Sequence, residues 1–258
     1  MTKDYLEIAK KAALASGEIQ MEYLHQEKKV EFKGAINLVT HVDKLCEKEI
    51  VSMIQGAFPS HDIMAEEGTG VRKHSDYKWV IDPLDGTTNY AHAYPLFCTS
   101  IALEYKGEIV VGAVYEPNLK ELFLAEKGKG ATLNDKRIHV SKTSKLDQAL
   151  LATGFAYNVK EVKNNNLNHF SNFILNARAV RRDGVAAADL CYLAMGRFDG
   201  FWELELQPWD LAAGFLMVQE AGGMVTDFRY KPFNIYMKEV LASNSLIHKD
   251  MARVLKLP

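Results

Sequence analysis

Over residues 3–26 the apolar positions Leu6, Ala9, Ala13, Ile19 and Leu24 fall near one face of a 3.6-residue period, which predicts an amphipathic helix. A second helix is expected over 42–58, with Leu45, Ile50, Met53 and Ile54 inward and Pro59 as its stop. Residues 62–65 read as a strand, and 79–81 as a short apolar strand ended by Asp82-Pro83. The period then shortens. Residues 100–105, 109–115 and 121–125 are β-branched and aromatic runs, separated by Lys106-Gly107 and Pro117-Asn118. Gly128, Gly130 and Asn134-Asp135 punctuate the next short strands, so an antiparallel meander is predicted up to about residue 140.

Beyond residue 145 the rhythm alternates. Strands are expected at 150–153, 179–181, 201–202, 224–226 and 240–242, and helices at 162–176, 185–195 and 211–221. Such alternation predicts layers of helix on sheet. It suggests an N-terminal part, 1–145, and a C-terminal part, 146–258, within one body.

Composition narrows the class. The 258 residues are 48% hydrophobic and 25% charged, which is ordinary globular usage. A net charge of -2 gives no electrostatic reason to expect nucleic-acid binding. The three cysteines, Cys46, Cys98 and Cys191, are odd in number and form no CxxC pair, which fits a reducing compartment. The N-terminal segment lacks the apolar core of a signal peptide, and no run is long enough to span a bilayer. The expectation is a cytoplasmic protein without membrane partners.

There is no GxSxG elbow, no GxxxxGK[ST] loop and no GxGxxG turn, and the eight histidines show no HExxH or H-x-H spacing. Carboxylates remain. In Trp79-Val80-Ile81-Asp82-Pro83-Leu84-Asp85-Gly86-Thr87-Thr88-Asn89-Tyr90 a strand delivers two aspartates, three apart, onto a turn. Gly86 lets a ligand approach the backbone, and the Thr-Thr-Asn after it opens a short helix whose free N–H groups favour phosphate. Hard anionic ligands beside an anion cradle suit Mg²⁺ chemistry on a phosphate ester. Aspartyl-nucleophile phosphatases of the haloacid-dehalogenase type need a second aspartate two residues away; here Pro83 stands two before Asp85. Glu66-Glu67 ends the preceding strand. Asp43 and Asp210 each sit in a helix's first turn, where the dipole alone would favour an acid by about 0.3–1 kcal/mol.

Taken together these segments resemble the inositol monophosphatase family. The match rests on the run from Trp79 to Asn89 and on Trp209-Asp210-Leu211-Ala212-Ala213-Gly214, supported by Asn37-Leu38-Val39-Thr40-His41-Val42-Asp43, Glu66-Glu67 and Arg181-Arg182-Asp183-Gly184. The resemblance implies an α/β fold layered as an α-β-α-β-α sandwich, a homodimer, lithium sensitivity and two or three Mg²⁺ per site. It implies that Glu66, Asp82 and the Leu84 carbonyl hold one ion, that Asp82, Asp85 and Asp210 hold a second, and that a third sits near Glu66. Thr87 paired with Asp43 is expected to orient the attacking water, and the N–H groups of Gly86 and Thr87 to bind phosphate. Lys33 resembles the family's loop lysine. Asp85, Gly184, Val185, Ala186 and Glu203 match substrate-contacting positions, although many members carry Ser or Thr where this chain has Val185.

The implied substrate is a small phosphorylated polyol, inositol 1-phosphate first. Fructose 1,6-bisphosphate is the alternative, since a second phosphate could use Arg181, Arg182 or Arg197. Nucleotide 3′-phosphatase relatives carry longer insertions and fit less well. A reading of another class is a regulatory protein bound to the transcription complex, as some bacterial relatives are.

Overall fold

The computed structural model describes residues 4–26, 30–32 and 38–257. Helix α1 (Tyr5–Tyr23) starts where Asp4 accepts the Glu7 N–H at 3.1 Å. Strands β1 (Val30–Phe32) and β2 (Leu38–Thr40) pair antiparallel and lead into α2 (His41–Ala57). A seven-stranded sheet comes next, in sequence order: β3 (Asp62–Ala65), β4 (Tyr77–Asp85), β5 (Cys98–Tyr105), β6 (Glu108–Glu116), β7 (Glu121–Glu126), β8 (Gly130–Leu133) and β9 (Lys136–Arg137), with helix α3 (Thr87–Ala91) between β4 and β5. The predicted meander holds from β4 onward, while β3 joins its edge in parallel.

The remaining chain builds a five-stranded sheet from β10 (Leu150–Thr153), β11 (Ala179–Arg181), β12 (Gly200–Leu204), β13 (Met224–Thr226) and β14 (Glu239–Ser243), in the order β11-β10-β12-β14-β13. Helices α4 (Leu167–Asn176), α5 (Ala186–Ala194), α6 (Pro208–Glu220) and α7 (His248–Val254) alternate with these strands. No helix among the described residues is long and apolar enough to cross a membrane.

Three apolar cores define the layers. Ala9, Ala13, Ile50 and Ile54 of α1 and α2 pack on Trp79, Ile81 and Ile101 of the first sheet. The opposite face of that sheet, with Val80, Ala102 and Val114, meets α5 and α6, which in turn meet Phe201 and Ala242 of the second sheet. Phe173 and Met251 of α4 and α7 close the far side over Leu151, Trp202 and Leu241. The order is helix, sheet, helix, sheet, helix, as expected. Strand alternation now places the chemistry. Trp79 and Ile81 point to α1 and α2, Val80 to the central helices, and Asp82, in phase with Val80, faces the side where α6 lies.

Several boundaries differ from expectation. β4 does not end at Asp82-Pro83 but runs to Asp85, with its register shifted between Asp82 and Asp85. Such a bulge accommodates a proline that cannot donate to the ladder. Leu45 is exposed (38%), because the inward stripe of α2 is Val42, Cys46, Ile50 and Ile54. The helix expected from residue 162 starts only at Leu167. Asn166 takes a left-handed backbone (φ 71°), and its buried amide is bonded to Thr153, Gly154 and Trp202. Helix α6 begins at Pro208 rather than 211, and Asp210 lies in its first turn as expected.

Buried His248 anchors α7 to the second sheet, its Nδ1 2.8 Å from the Ser243 hydroxyl and its Nε2 2.9 Å from that of Thr226. The Thr226 hydroxyl donates to the Asp227 carbonyl (2.7 Å), so it accepts from Nε2–H and leaves Nδ1 to accept from Ser243. Burial lowers the imidazole to about 4. An unfolded histidine titrates near 6.5, so this group's contribution is complete above about 6.5 and is lost as pH falls toward 4, up to about 3 kcal/mol. Urea midpoints measured from pH 7 to 4.5 should therefore fall more steeply for the wild type than for His248→Gln. Parallel curves would assign the acid sensitivity elsewhere.

Candidate active site

At the C-terminal end of β4 the chain leaves the first sheet and runs against α5 and α6, opening a cleft of about 560 Å³. Glu66 at the end of β3, Asp82, Leu84 and Asp85 of β4, Gly86 and Thr87 at the start of α3, and Asp210 of α6 all line it. Gly184, Val185, Ala186 and Glu203 line it as well. Lys33 lies outside the described residues.

The β4 turn is held from behind. The Pro83 carbonyl accepts from Gln20 Nε2 (2.9 Å) and Ser16 Oγ (3.2 Å), polar groups on the otherwise apolar face of α1. In front, Asp82 Oδ1 accepts the Leu84 N–H at 3.0 Å, and Asp85 Oδ2 accepts the Ala187 N–H at 2.7 Å in the first turn of α5. Gly86 has φ 91°, and a Cβ there would lie 2.8 Å from Val185 Cγ2 and 3.2 Å from the Leu96 carbonyl. A side chain at Gly86 would thus force α3 and the Gly184–Ala186 turn apart.

Two helix-capping acids also serve the cleft. Asp43 is fully buried. Its Oδ2 accepts the Thr40 N–H (2.8 Å) and hydroxyl (2.6 Å), while Oδ1 lies 2.9 Å from the Thr87 hydroxyl. The single Thr87 proton is shared between Asp43 and the Leu84 carbonyl at 3.1 Å. Burial raises the Asp43 carboxyl, and its hydrogen bonds from Thr40 and Thr87 partly offset that. Asp210 Oδ2 accepts the Gln207 N–H at 2.8 Å, closing a capping box.

Burial is the largest cause of the raised pKa of Asp82, Asp85 and Asp210. The charges of Glu66, Asp85 and Asp210 add to it at Asp82, and those of Asp210 and Glu66 at Asp85. Asp210 reaches about 6. Among the described residues no three His, Cys, Asp or Glu side chains are gathered tightly enough to hold an ion by themselves. The acids stand along the cleft wall within electrostatic reach of one another, and no histidine or cysteine lines it. An oxygen-only, multiply anionic donor set of this kind fits Mg²⁺ rather than a softer ion.

On the other side of the cleft Glu203 is not a surface acid. It is buried on β12, and a Cβ on Gly154 would collide with its carboxyl group. Burial, Asp210 and Asp85 raise it, and Arg182 opposes them. Of the three arginines considered for a second phosphate, Arg197 is engaged by both carboxylate oxygens of Glu121, and Arg181 donates to the Val180 carbonyl (3.3 Å) away from the cleft. Arg182 lines it.

Other contributors escape a reading of the sequence. Buried Glu47 of α2 accepts the Glu67 N–H (2.6 Å) and the Thr69 N–H (2.9 Å), fixing the turn that carries Glu66. Tyr157 and Thr88 also line the cleft. Asp189 of α5 is buried, with one carboxylate oxygen unpartnered. The one local signal is polarity within an apolar stripe, as for Asp189 in Ala188-Asp189-Leu190-Cys191.

Known proteins carry the same chain pattern. The Nus factor SuhB of Pseudomonas aeruginosa is 42% identical over 253 residues, covering 95% of this chain and 93% of that protein. The fructose-1,6-bisphosphatase/inositol-1-monophosphatase of Aquifex aeolicus is 40% identical, covering 98% and 96%. The solved inositol monophosphatase of Anabaena (Nostoc) sp. PCC 7120 superposes with a TM-score of 0.91 at 43% identity, covering 98% and 96%. The model of the inositol monophosphatase family matches residues 1–256, and the chain belongs to that family.

Proposed function

We propose that the chain is a Mg²⁺-dependent phosphomonoesterase acting on a small phosphorylated polyol, inositol 1-phosphate first. The observation that supports this most strongly is the meeting of Glu66, Asp82, Asp85 and Asp210, from β3, β4 and α6, in one cleft beside the backbone of Gly86 and Thr87. In this reading Glu66, Asp82, Asp85, Asp210 and the Leu84 carbonyl hold the ions. When bound, Mg²⁺ supplies a nucleophile at neutral pH and neutralises charge on the phosphoryl oxygens.

The chain's own groups do the rest. The N–H groups of Gly86 and Thr87 fix the phosphate, so that the ester faces the Thr87 hydroxyl. Thr87 orients the attacking water, and Asp43, reached through the 2.9 Å contact, takes its proton. Its raised carboxyl is a better base than an exposed aspartate. Glu203, with the Gly184–Ala186 turn, holds the hydroxyls of the leaving alcohol. Positioning and electrostatics carry such a transfer, with little covalent work for the protein. The same reading takes the enzyme as a cytoplasmic homodimer acting on free small molecules.

Phosphate release from inositol 1-phosphate is expected with millimolar Mg²⁺ and should stop in EDTA. An equal rate in both would remove the metal from the reaction. The Nus factor name of the Pseudomonas relative supports a second role in transcription-complex binding. Retention of transcription factors by both wild type and Asp85→Asn on a pull-down would show that role to be separate from catalysis.

A further inference from the structure

The cleft carries Glu66, Asp82, Asp85, Asp210, Glu203 and Glu205, and among its lining residues a single basic side chain, that of Arg182. This guanidinium is placed rather than adrift. It comes just after β11, and it folds across Gly184, where a Cβ would collide with its Nη1. Gly184 (φ 75°) therefore serves both the turn and the course of the exposed Arg182 side chain along the cleft. Its charge reaches Asp183, Asp189 and Glu203, of which Glu203 lines the cleft. Yet among the described residues Arg182 makes no ion pair and no hydrogen bond, whereas Arg197 is held by both oxygens of Glu121.

A guanidinium with five donors uncommitted, beside the alcohol subsite of a cleft otherwise lined by acids, is a site for an anion. We propose that Arg182 determines specificity by anchoring an anionic group, a second phosphate or a carboxylate, on the alcohol part of the phosphate ester. This rests on the phosphatase reading. A neutral polyol needs only Glu203 and the turn backbone. An alcohol that bears its own anion would meet repulsion from those acids unless Arg182 received it, and a guanidinium receives either oxyanion through two parallel bonds. Val185 sharpens the choice, because it offers no hydroxyl to a neutral polyol at the adjoining position.

The test is initial-rate phosphate release, with Mg²⁺, by wild type, Arg182→Gln and Arg182→Lys. Three esters are compared: inositol 1-phosphate, with a neutral alcohol; fructose 1,6-bisphosphate, with a second phosphate; and 6-phosphogluconate, with a carboxylate. Arg182→Gln is expected to raise KM for one or both anionic esters by about 10–100-fold, the scale of a lost charge-assisted contact. Its kcat/KM for inositol 1-phosphate should stay within about threefold. Lys should restore part of the loss, and the ester that suffers tells phosphate from carboxylate. An equal loss on all three esters would make Arg182 a structural counter-charge and overturn the proposal. So would a wild type that hydrolyses inositol 1-phosphate and neither anionic ester. A wild type inert on all three would overturn the phosphatase reading itself.

Discussion

Asp85→Asn is expected to lower phosphate release by about 10²–10⁴-fold, a loss of roughly 3–5 kcal/mol of transition-state stabilisation, while the protein stays folded. Asp85 is where three parts of the molecule meet. It ends β4, its Oδ2 receives the Ala187 N–H of α5 at 2.7 Å, and its charge is felt by Asp82. An amide oxygen can still accept from Ala187, so the junction of the first sheet with α5 survives. A neutral amide is a poor ligand for a divalent cation, so the chemistry does not. Removing an anion from a crowded set also lowers the repulsion in the metal-free protein. The variant should therefore melt in EDTA at or above the wild-type temperature. Turnover by Asp85→Asn near the wild-type rate would take this carboxylate out of the reaction, and a large drop in its melting temperature would show that the group serves the fold.

The candidate site was legible where its residues are contiguous and opaque where they are not. The run from Trp79 to Thr88 displays a strand, two acids, a glycine free to take a positive φ and a helix start, so these local features could be read from the letters alone. Asp43 and Asp210 posed an apparent choice between helix cap and site acid, but a carboxylate has two oxygens. Asp43 caps with Oδ2 and reaches Thr87 with Oδ1. Asp210 caps with Oδ2, and its charge acts on Asp82. The capping bond fixes the rotamer, so the cap itself aims the acid.

What sequence could not supply was partners distant along the chain. Nothing near Gln20 or Ser16 shows that they grip the Pro83 carbonyl, nor anything near Glu47 that it holds the turn after Glu66. Arg182 and Arg197 look alike as letters, and only the placement of Glu121 separates the committed guanidinium from the uncommitted one. The bulge in β4 was hidden for a related reason. Pro83 reads as a strand terminator, whereas the bonds from α1 carry the strand through it.

Mg²⁺ is expected to raise the melting temperature of the wild-type protein by about 5–10 °C at concentrations near 100 times Kd, where binding contributes about 2.7 kcal/mol. The cause lies in the cleft. Asp82 is buried and Asp85 and Asp210 are half-buried; desolvation raises all three, and the charges of Glu66 and Asp210 add to it at both Asp82 and Asp85. Arg182, the one cation on the wall, acts on Glu203 and its neighbours at the opposite side. The native state thus carries a repulsive cluster that the unfolded chain disperses, and a divalent cation held among the acids turns that repulsion into attraction. Ca²⁺, also an oxygen-seeking ion, should stabilise too without supporting turnover, because the protein's melting depends on charge and the reaction on Mg²⁺'s tighter geometry. Thermal melts of wild type and Asp85→Asn in EDTA and in MgCl₂ provide the check: the wild-type shift should shrink by at least half in the variant. Identical wild-type melts in the two buffers would mean that these acids bear their mutual charge unaided, and the cleft would then have no need of a metal.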